Sequence, residues 1–184
     1  MFVHGIDQNT ALSRLELRDA EELFAATAAN REHLGRWLPW VESVRSVDDT
    51  RAFIRSTLDQ HARNNGFQCA IRFRHNIVGV VGYHWIDWPN RSTHIGYWLA
   101  ADHQGRGIMT KACRALVDFA FGELELNRVE IATADGNSRS RAIPERLGFV
   151  EEGLHRQAER LADRYVDLRL YAMLRSEWDP ERRG

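Results

Sequence analysis

The chain has 184 residues, 43% of them hydrophobic and 28% charged, with a formal net charge of -1. That length fits one domain, residues 1–184, with interior enough to fold without disulfides, and the near-neutral balance argues against a dedicated nucleic-acid binder, whose surface is strongly basic. No apolar run approaches the roughly 20 residues of a membrane span. Met1-Phe2-Val3-His4-Gly5-Ile6-Asp7 lacks the basic start and apolar core of a secretion signal. Cys69 and Cys113 sit in apolar segments without metal-ligand spacing, so free thiols in a reducing cytoplasm are expected, with no metal and no membrane partner.

In chain order, Leu12 to Leu17 alternates apolar and polar residues as a strand does. Arg18-Asp19-Ala20-Glu21-Glu22 opens an alanine-rich helix, with Asp19 as its expected N-cap. Trp37-Leu38-Pro39-Trp40 breaks that helix. A second starts at Ser46-Val47-Asp48-Asp49, runs through Phe53, Ile54 and Leu58, and ends at Asn64-Asn65-Gly66. Phe67–Phe73 and Ile77–Trp85 read as strands joined by a turn at Arg74-His75-Asn76, and Arg91–Leu99 completes an antiparallel meander.

After Leu99 the pattern changes. Asp102-His103-Gln104-Gly105-Arg106-Gly107 is a polar loop. Ile108, Ala112, Leu116, Val117 and Ala120 then fall at helical spacing. Arg128–Thr133 reads as a buried strand, and Asn137 to Leu147 as a helix closed by Gly148. Two last strands, Phe149 to about Arg160 and Tyr165 to Leu174, flank Leu161-Ala162-Asp163-Arg164. The order β-α-α-β-β-β-α-β-α-β-β predicts a mixed sheet with helices on both faces, its parallel pair lying between Arg91 and Thr133.

Gln104-Gly105-Arg106-Gly107-Ile108-Met109-Thr110 follows a strand and opens a helix. Successive backbone N–H groups and the helix dipole make such a loop a nest for an anion. Glycine lets the backbone approach a phosphate, and Arg106 brings a charge that can pair with one. A plain turn into a helix fits the same residues. The loop lacks the Gly-Lys-Ser/Thr of a Walker motif, and it comes too late in the chain for a dinucleotide fingerprint.

Gln104-Gly105-Arg106-Gly107 resembles the Gln/Arg-x-x-Gly-x-Gly/Ala motif of the GNAT acetyltransferase superfamily. Three further segments resemble that family in the same order: His94-Ile95-Gly96-Tyr97-Trp98-Leu99, Asn137-Ser138-Arg139-Ser140, and Ile143-Pro144-Glu145-Arg146-Leu147-Gly148-Phe149. Trp37-Leu38-Pro39-Trp40 and Gln157-Ala158-Glu159 are similar to the RimJ/RimL branch, the ribosomal-protein N-terminal acetyltransferases. The likeness spans nearly the whole chain. Two positions depart from it: Met109 stands where Gly or Ala is usual, and His94 where many relatives carry an acid.

The resemblance implies an α/β, GNAT-like mixed, mostly antiparallel twisted sheet of about seven strands with helices on both faces. It implies a single acetyltransferase domain using acetyl-CoA as cosubstrate. Gln104, Gly105, Arg106, Gly107, Ile108, Met109 and Thr110 would cradle the pyrophosphate. Trp98, Leu99, Asn137 and Ser140 would border the pantetheine arm. Glu159 is the implied general base and His94 its rival. Ser140 is the implied acid for the departing thiolate, and a backbone N–H near Leu99, freed by a bulge there, would face the thioester carbonyl.

Each residue also has a structural reading. Glu159 could pair with Arg156 or Arg160, His94 could be an ordinary strand histidine, and Ser140 and Asn137 could cap helical N–H groups. Trp37, Trp40, Tyr83, Trp85 and Trp88 could line an acceptor cleft or belong to core and interface, and apolar Trp85-Ile86-Asp87-Trp88-Pro89 suggests a homodimer contact. A lysine amine, with pKa about 10.4, costs roughly 3 kcal/mol more to deprotonate at neutral pH than an α-amine of pKa about 8. That favours an N-terminal or similarly acidic amine. The alternatives to a protein N-terminus are an antibiotic, polyamine or amino-acid derivative as acceptor, and an acyl-CoA-binding module without turnover. A nucleotide-binding protein is the remaining alternative.

Overall fold

The computed structural model describes residues 3–162 and 164–180. Expectations for Met1, Phe2 and Asp163 lie outside those residues. The strands are β1 (Val3–Gly5), β2 (Thr10–Arg14), β3 (Phe67–Phe73), β4 (Asn76–Asp87), β5 (Ser92–Leu99), β6 (Arg128–Ala134), β7 (Val150–Leu161) and β8 (Arg164–Leu174). The helices are α1 (Ala20–Ala29), α2 (Arg31–Gly35), α3 (Val47–Ala62), α4 (Ile108–Gly122) and α5 (Ser138–Leu147). The strands form one sheet in the order β1-β2-β3-β4-β5-β6-β8-β7. Every neighbouring pair is antiparallel except β5 and β6, where the parallel pair was expected.

Two apolar layers sandwich the sheet. On one face Ile108, Met109, Ala112, Leu116 and Val117 of α4 and Ile143 and Leu147 of α5 pack on Val81, Ile95, Leu99, Val129 and Ile131. On the other face Leu23 and Ile54, from α1 and α3, cover Ala70, Ile77 and Val80. The period-3.6 stripe of α4 and the period-2 alternation of β5 thus meet in one core.

Several local expectations change. The sheet has an eighth strand, β1, too short to show a pattern. The strand expected over Leu12–Leu17 runs Thr10–Arg14, and Leu17–Asp19 forms a 3-10 turn. Asp19 makes no side-chain cap to α1; its buried carboxylate instead accepts from Glu16 N–H at 2.9 Å and pairs with Arg72 at 2.8 Å. The first helix divides at Asn30, whose Nδ2 donates to Ala26 O while its Oδ1 accepts the Ala101 N–H. That second bond ties the α1–α2 corner to the loop before α4.

Candidate active site

β5 and β6 pair only over Ser92–His94 and Arg128–Glu130, then separate toward their C-terminal ends. The bulge responsible lies in β4: two residues, His84 and Trp85, oppose His94 alone. This corrects the expectation of a bulge at Leu99, where the β4–β5 register is regular. Leu99 N–H is nevertheless free of β4. Ala100 N–H bonds Val78 O at 2.8 Å, so alternation along the strand turns the Tyr97 and Leu99 N–H groups toward the opening. An extended chain carrying amides fits such an edge.

The loop from β5 to α4 closes one end of the opening. Gly105 (φ 74°) and Gly107 (φ 72°) are left-handed, and a Cβ at either would meet nothing within 4 Å. The left-handed conformation itself calls for glycine there. The N–H groups of Gly105, Arg106, Gly107, Ile108, Met109 and Thr110 have no partner among the described residues, and helical bonding begins with Lys111 N–H to Gly107 O. A run of unpaired donors at the positive end of a 15-residue helix fits a pyrophosphate. Ile108 and Met109 point their side chains into the core while their N–H groups stay outside, so the Met109 departure leaves the nest intact. The Arg106 guanidinium lies over the Phe73 ring, 5.8 Å from its centroid.

Gln104 is held on both sides. Its Nε2 meets His33 Nε2 at 2.8 Å and its Oε1 accepts from Arg139 at 2.6 Å. Arg139 fixes the amide orientation, so His33 Nε2 is the acceptor. Burial, then the nearby Arg139 and Arg36, lowers the His33 pKa and keeps the ring neutral. His33 and Arg139 escaped the sequence reading, because only the fold brings α2, the loop and α5 together.

Asn137 caps α5, its Oδ1 accepting the Ser140 N–H at 3.2 Å. Ser140 Oγ donates to Tyr97 Oη at 3.2 Å, and Tyr97 Oη donates to Ser140 O at 3.1 Å. Pro144 explains the second bond. Four residues after Ser140 it has no N–H, so the Ser140 carbonyl lacks its helical donor. Tyr97 is a site residue that the sequence reading missed; strand alternation, which puts it beside Ile95 and Leu99 on the α4 face, was the available signal.

Glu159 lies on the β7–β8 hairpin beyond the end of β6. It pairs with Val166, whereas the last β6 residue, Ala134, pairs with Leu168. A register shift between His155 and Glu159, with Gln157 at φ 50°, redirects the strand there. The side chain is half-buried and makes no ion pair among the described residues, and its neighbours Arg156 and Arg160 are exposed. Burial raises its pKa. No hydrogen bond joins Glu159 to Ser140: Ser140 sits in the first turn of α5 against Tyr97 of β5, and Glu159 on β7, the outermost strand. His94 Nε2 accepts the Ala132 N–H at 3.1 Å, and burial with nearby His84 lowers its pKa to about 4.

The aromatic residues divide. Trp37 packs over Gly136, and Trp40 lies 6.4 Å from Trp98, so these flank the opening. Tyr83 does not: it is fully buried, its hydroxyl bonded to Leu116 O. Trp88 donates to Asn64 O at the other end of β4.

A family model for the acetyltransferase (GNAT) domain matches residues 10–150. The chain belongs to the GNAT acetyltransferase family. It is 39% identical to YdaF of Bacillus subtilis (strain 168) over 183 residues, 99% of this chain and all of that one. It is 31% identical to the ribosomal-protein-serine acetyltransferase of Escherichia coli (strain K12), over 92% of this chain and 94% of the other. RimL, a ribosomal L7/L12 alpha-N-protein acetyltransferase solved with coenzyme A, superposes with a TM-score of 0.91 at 26% identity, covering 94% of this chain and 98% of that one. The protein is thus an acetyl-CoA-dependent N-acetyltransferase.

Proposed function

We propose that this acetyltransferase modifies the N-terminal α-amine of a protein, a ribosomal protein foremost, and that residues 1–184 act as one domain. The observation that carries the reading is Glu159, a half-buried carboxylate with no ion pair among the described residues, on the β7–β8 hairpin beyond the last residue of β6. The E. coli relative and RimL, both named for ribosomal-protein substrates, support the acceptor class.

Gln104, the N–H groups from Gly105 to Thr110, and Arg106 hold the pyrophosphate of acetyl-CoA in this reading. Trp98, Leu99, Asn137 and Ser140 border the pantetheine arm. Acetyl-CoA supplies the activated thioester. Glu159 takes a proton from the amine, through a water, as the nitrogen–carbon bond forms. Leu99 N–H faces the carbonyl oxygen as charge collects there. Ser140 Oγ holds the proton that the sulfur takes as its bond to carbon breaks. Burial raises the Glu159 pKa, which strengthens it as a base, and an α-amine is easier to deprotonate than a lysine amine.

The same reading takes the protein as a cytoplasmic homodimer. Trp85, in β4, and Trp88, in the turn that follows it, are 36% and 38% exposed and support that contact.

The test is acetylation of a panel of peptides bearing ribosomal-protein N-termini beside polyamines, amino-acid derivatives and aminoglycosides. Peptides should be the preferred acceptors. Turnover of small amines with no peptide modified would replace this acceptor with a small molecule.

A further inference from the structure

The parting of β5 and β6 has a specific device at its apex. Arg128 N–H bonds Arg91 O at 3.1 Å. A parallel ladder advances two residues per rung, so in an unbroken sheet Ala132 N–H would meet the Ile95 carbonyl. It donates instead to His94 Nε2 at 3.1 Å. His94 is also the last β5 residue paired with β6, opposite Glu130. One side chain therefore takes the place of the next rung.

The ring is braced. His84 lies 5.1 Å from it at 36°, and Trp85 lies 6.5 Å away, stacked at 25°. These are the two residues of the β4 bulge, so the bulge supplies the stack behind the imidazole. Gly96 makes room for it: a Cβ there would fall 1.8 Å from His84 Nε2.

We propose that His94 is a positioning residue, an uncharged wedge whose Nε2 replaces a strand carbonyl and fixes where β5 and β6 separate. Accepting from an N–H requires Nε2 to be unprotonated, which puts the ring proton on Nδ1. The ring's one lone pair is then occupied by Ala132, so the imidazole is not disposed to take a proton from substrate. Its Nδ1 has no partner among the described residues. The wedge follows from strand geometry alone; only its effect on turnover rests on the proposed function.

The test compares His94→Gln with His94→Leu in the full chain. Glutamine brings an amide oxygen close to the place of Nε2, and leucine brings no acceptor. Amide exchange at Ala132, followed by NMR without any acceptor amine, should speed up roughly tenfold in the leucine variant and stay near wild type in the glutamine variant. Coenzyme A affinity and turnover should follow the same order, with the glutamine variant keeping most of both. Unchanged Ala132 exchange in His94→Leu would overturn the proposal. So would a glutamine variant that protects Ala132 yet loses turnover as fully as the leucine variant, since that would give the ring a chemical role. The exchange readout needs no substrate, so failure of the wedge and failure of the assigned acceptor are distinguishable. Should the leucine variant fold poorly, the glutamine variant still decides between wedge and proton carrier.

Discussion

Tyr97 and Ser140 are bonded to each other twice. Ser140 Oγ donates to Tyr97 Oη at 3.2 Å, and Tyr97 Oη donates to Ser140 O at 3.1 Å, into the place left empty by the missing Pro144 N–H. A strand residue thereby sets the rotamer of a first-turn helical hydroxyl. Tyr97→Phe should lower kcat by about two- to tenfold, the worth of one hydrogen bond, with KM for acetyl-CoA little changed. Ser140→Ala should cost more, about a hundredfold in kcat, if the hydroxyl supplies the proton for sulfur. Steady-state kinetics at saturating acceptor separates the two.

Burial raises the Glu159 pKa, and that fixes the sign of the pH dependence. A base works only when deprotonated, so kcat/KM should fall toward acid with a midpoint above the ordinary carboxylate value. Glu159→Gln should lose about a hundredfold or more and show no such limb. A pH–rate profile of both proteins checks this.

Gly107 at φ 72° begins α4 in a conformation that an L side chain resists, although a Cβ has open space around it. Gly107→Ala should strain the nest by about 1–2 kcal/mol and weaken coenzyme A binding about tenfold, while the fold survives. Gly122, at the far end of the same helix with open space and no positive φ, is the control. Gly122→Ala should leave affinity unchanged. Calorimetric titration with coenzyme A measures both.

Much of this was legible in the sequence because it rests on periodicity. Ile108, Ala112, Leu116 and Val117 are buried where helical spacing put them, and the parallel pair falls between Arg91 and Thr133. The glycine loop was legible because left-handed backbone needs glycine. The bulge was not: it is a difference in residue count between β4 and β5, and neither His84 nor Trp85 advertises it. Tyr83, which the sequence left open between cleft, core and interface, is a core residue because its hydroxyl finds the Leu116 carbonyl. Asp19, read as a cap, found a stronger partner in Arg72, 53 residues away in the chain and on no local pattern.

His94 links pH to stability. Its folded pKa, about 4, lies below the ordinary histidine value of about 6.5, so the unfolded chain binds the extra proton in between. The contribution is present above about pH 6.5 and is lost as pH falls toward 4, by at most about 3 kcal/mol. Urea unfolding of wild type across that window should show the loss, and His94→Gln should show a flatter profile.

The most direct measurement uses one peptide with a free α-amine and an internal lysine, incubated with acetyl-CoA and either wild type or Glu159→Gln. Tandem mass spectrometry then locates the acetyl group. Acetylation at the α-amine by wild type, nearly abolished in Glu159→Gln, is the expected result. Acetylation confined to the lysine, or equal α-amine acetylation by both proteins, would contradict the assigned acceptor or the assigned base.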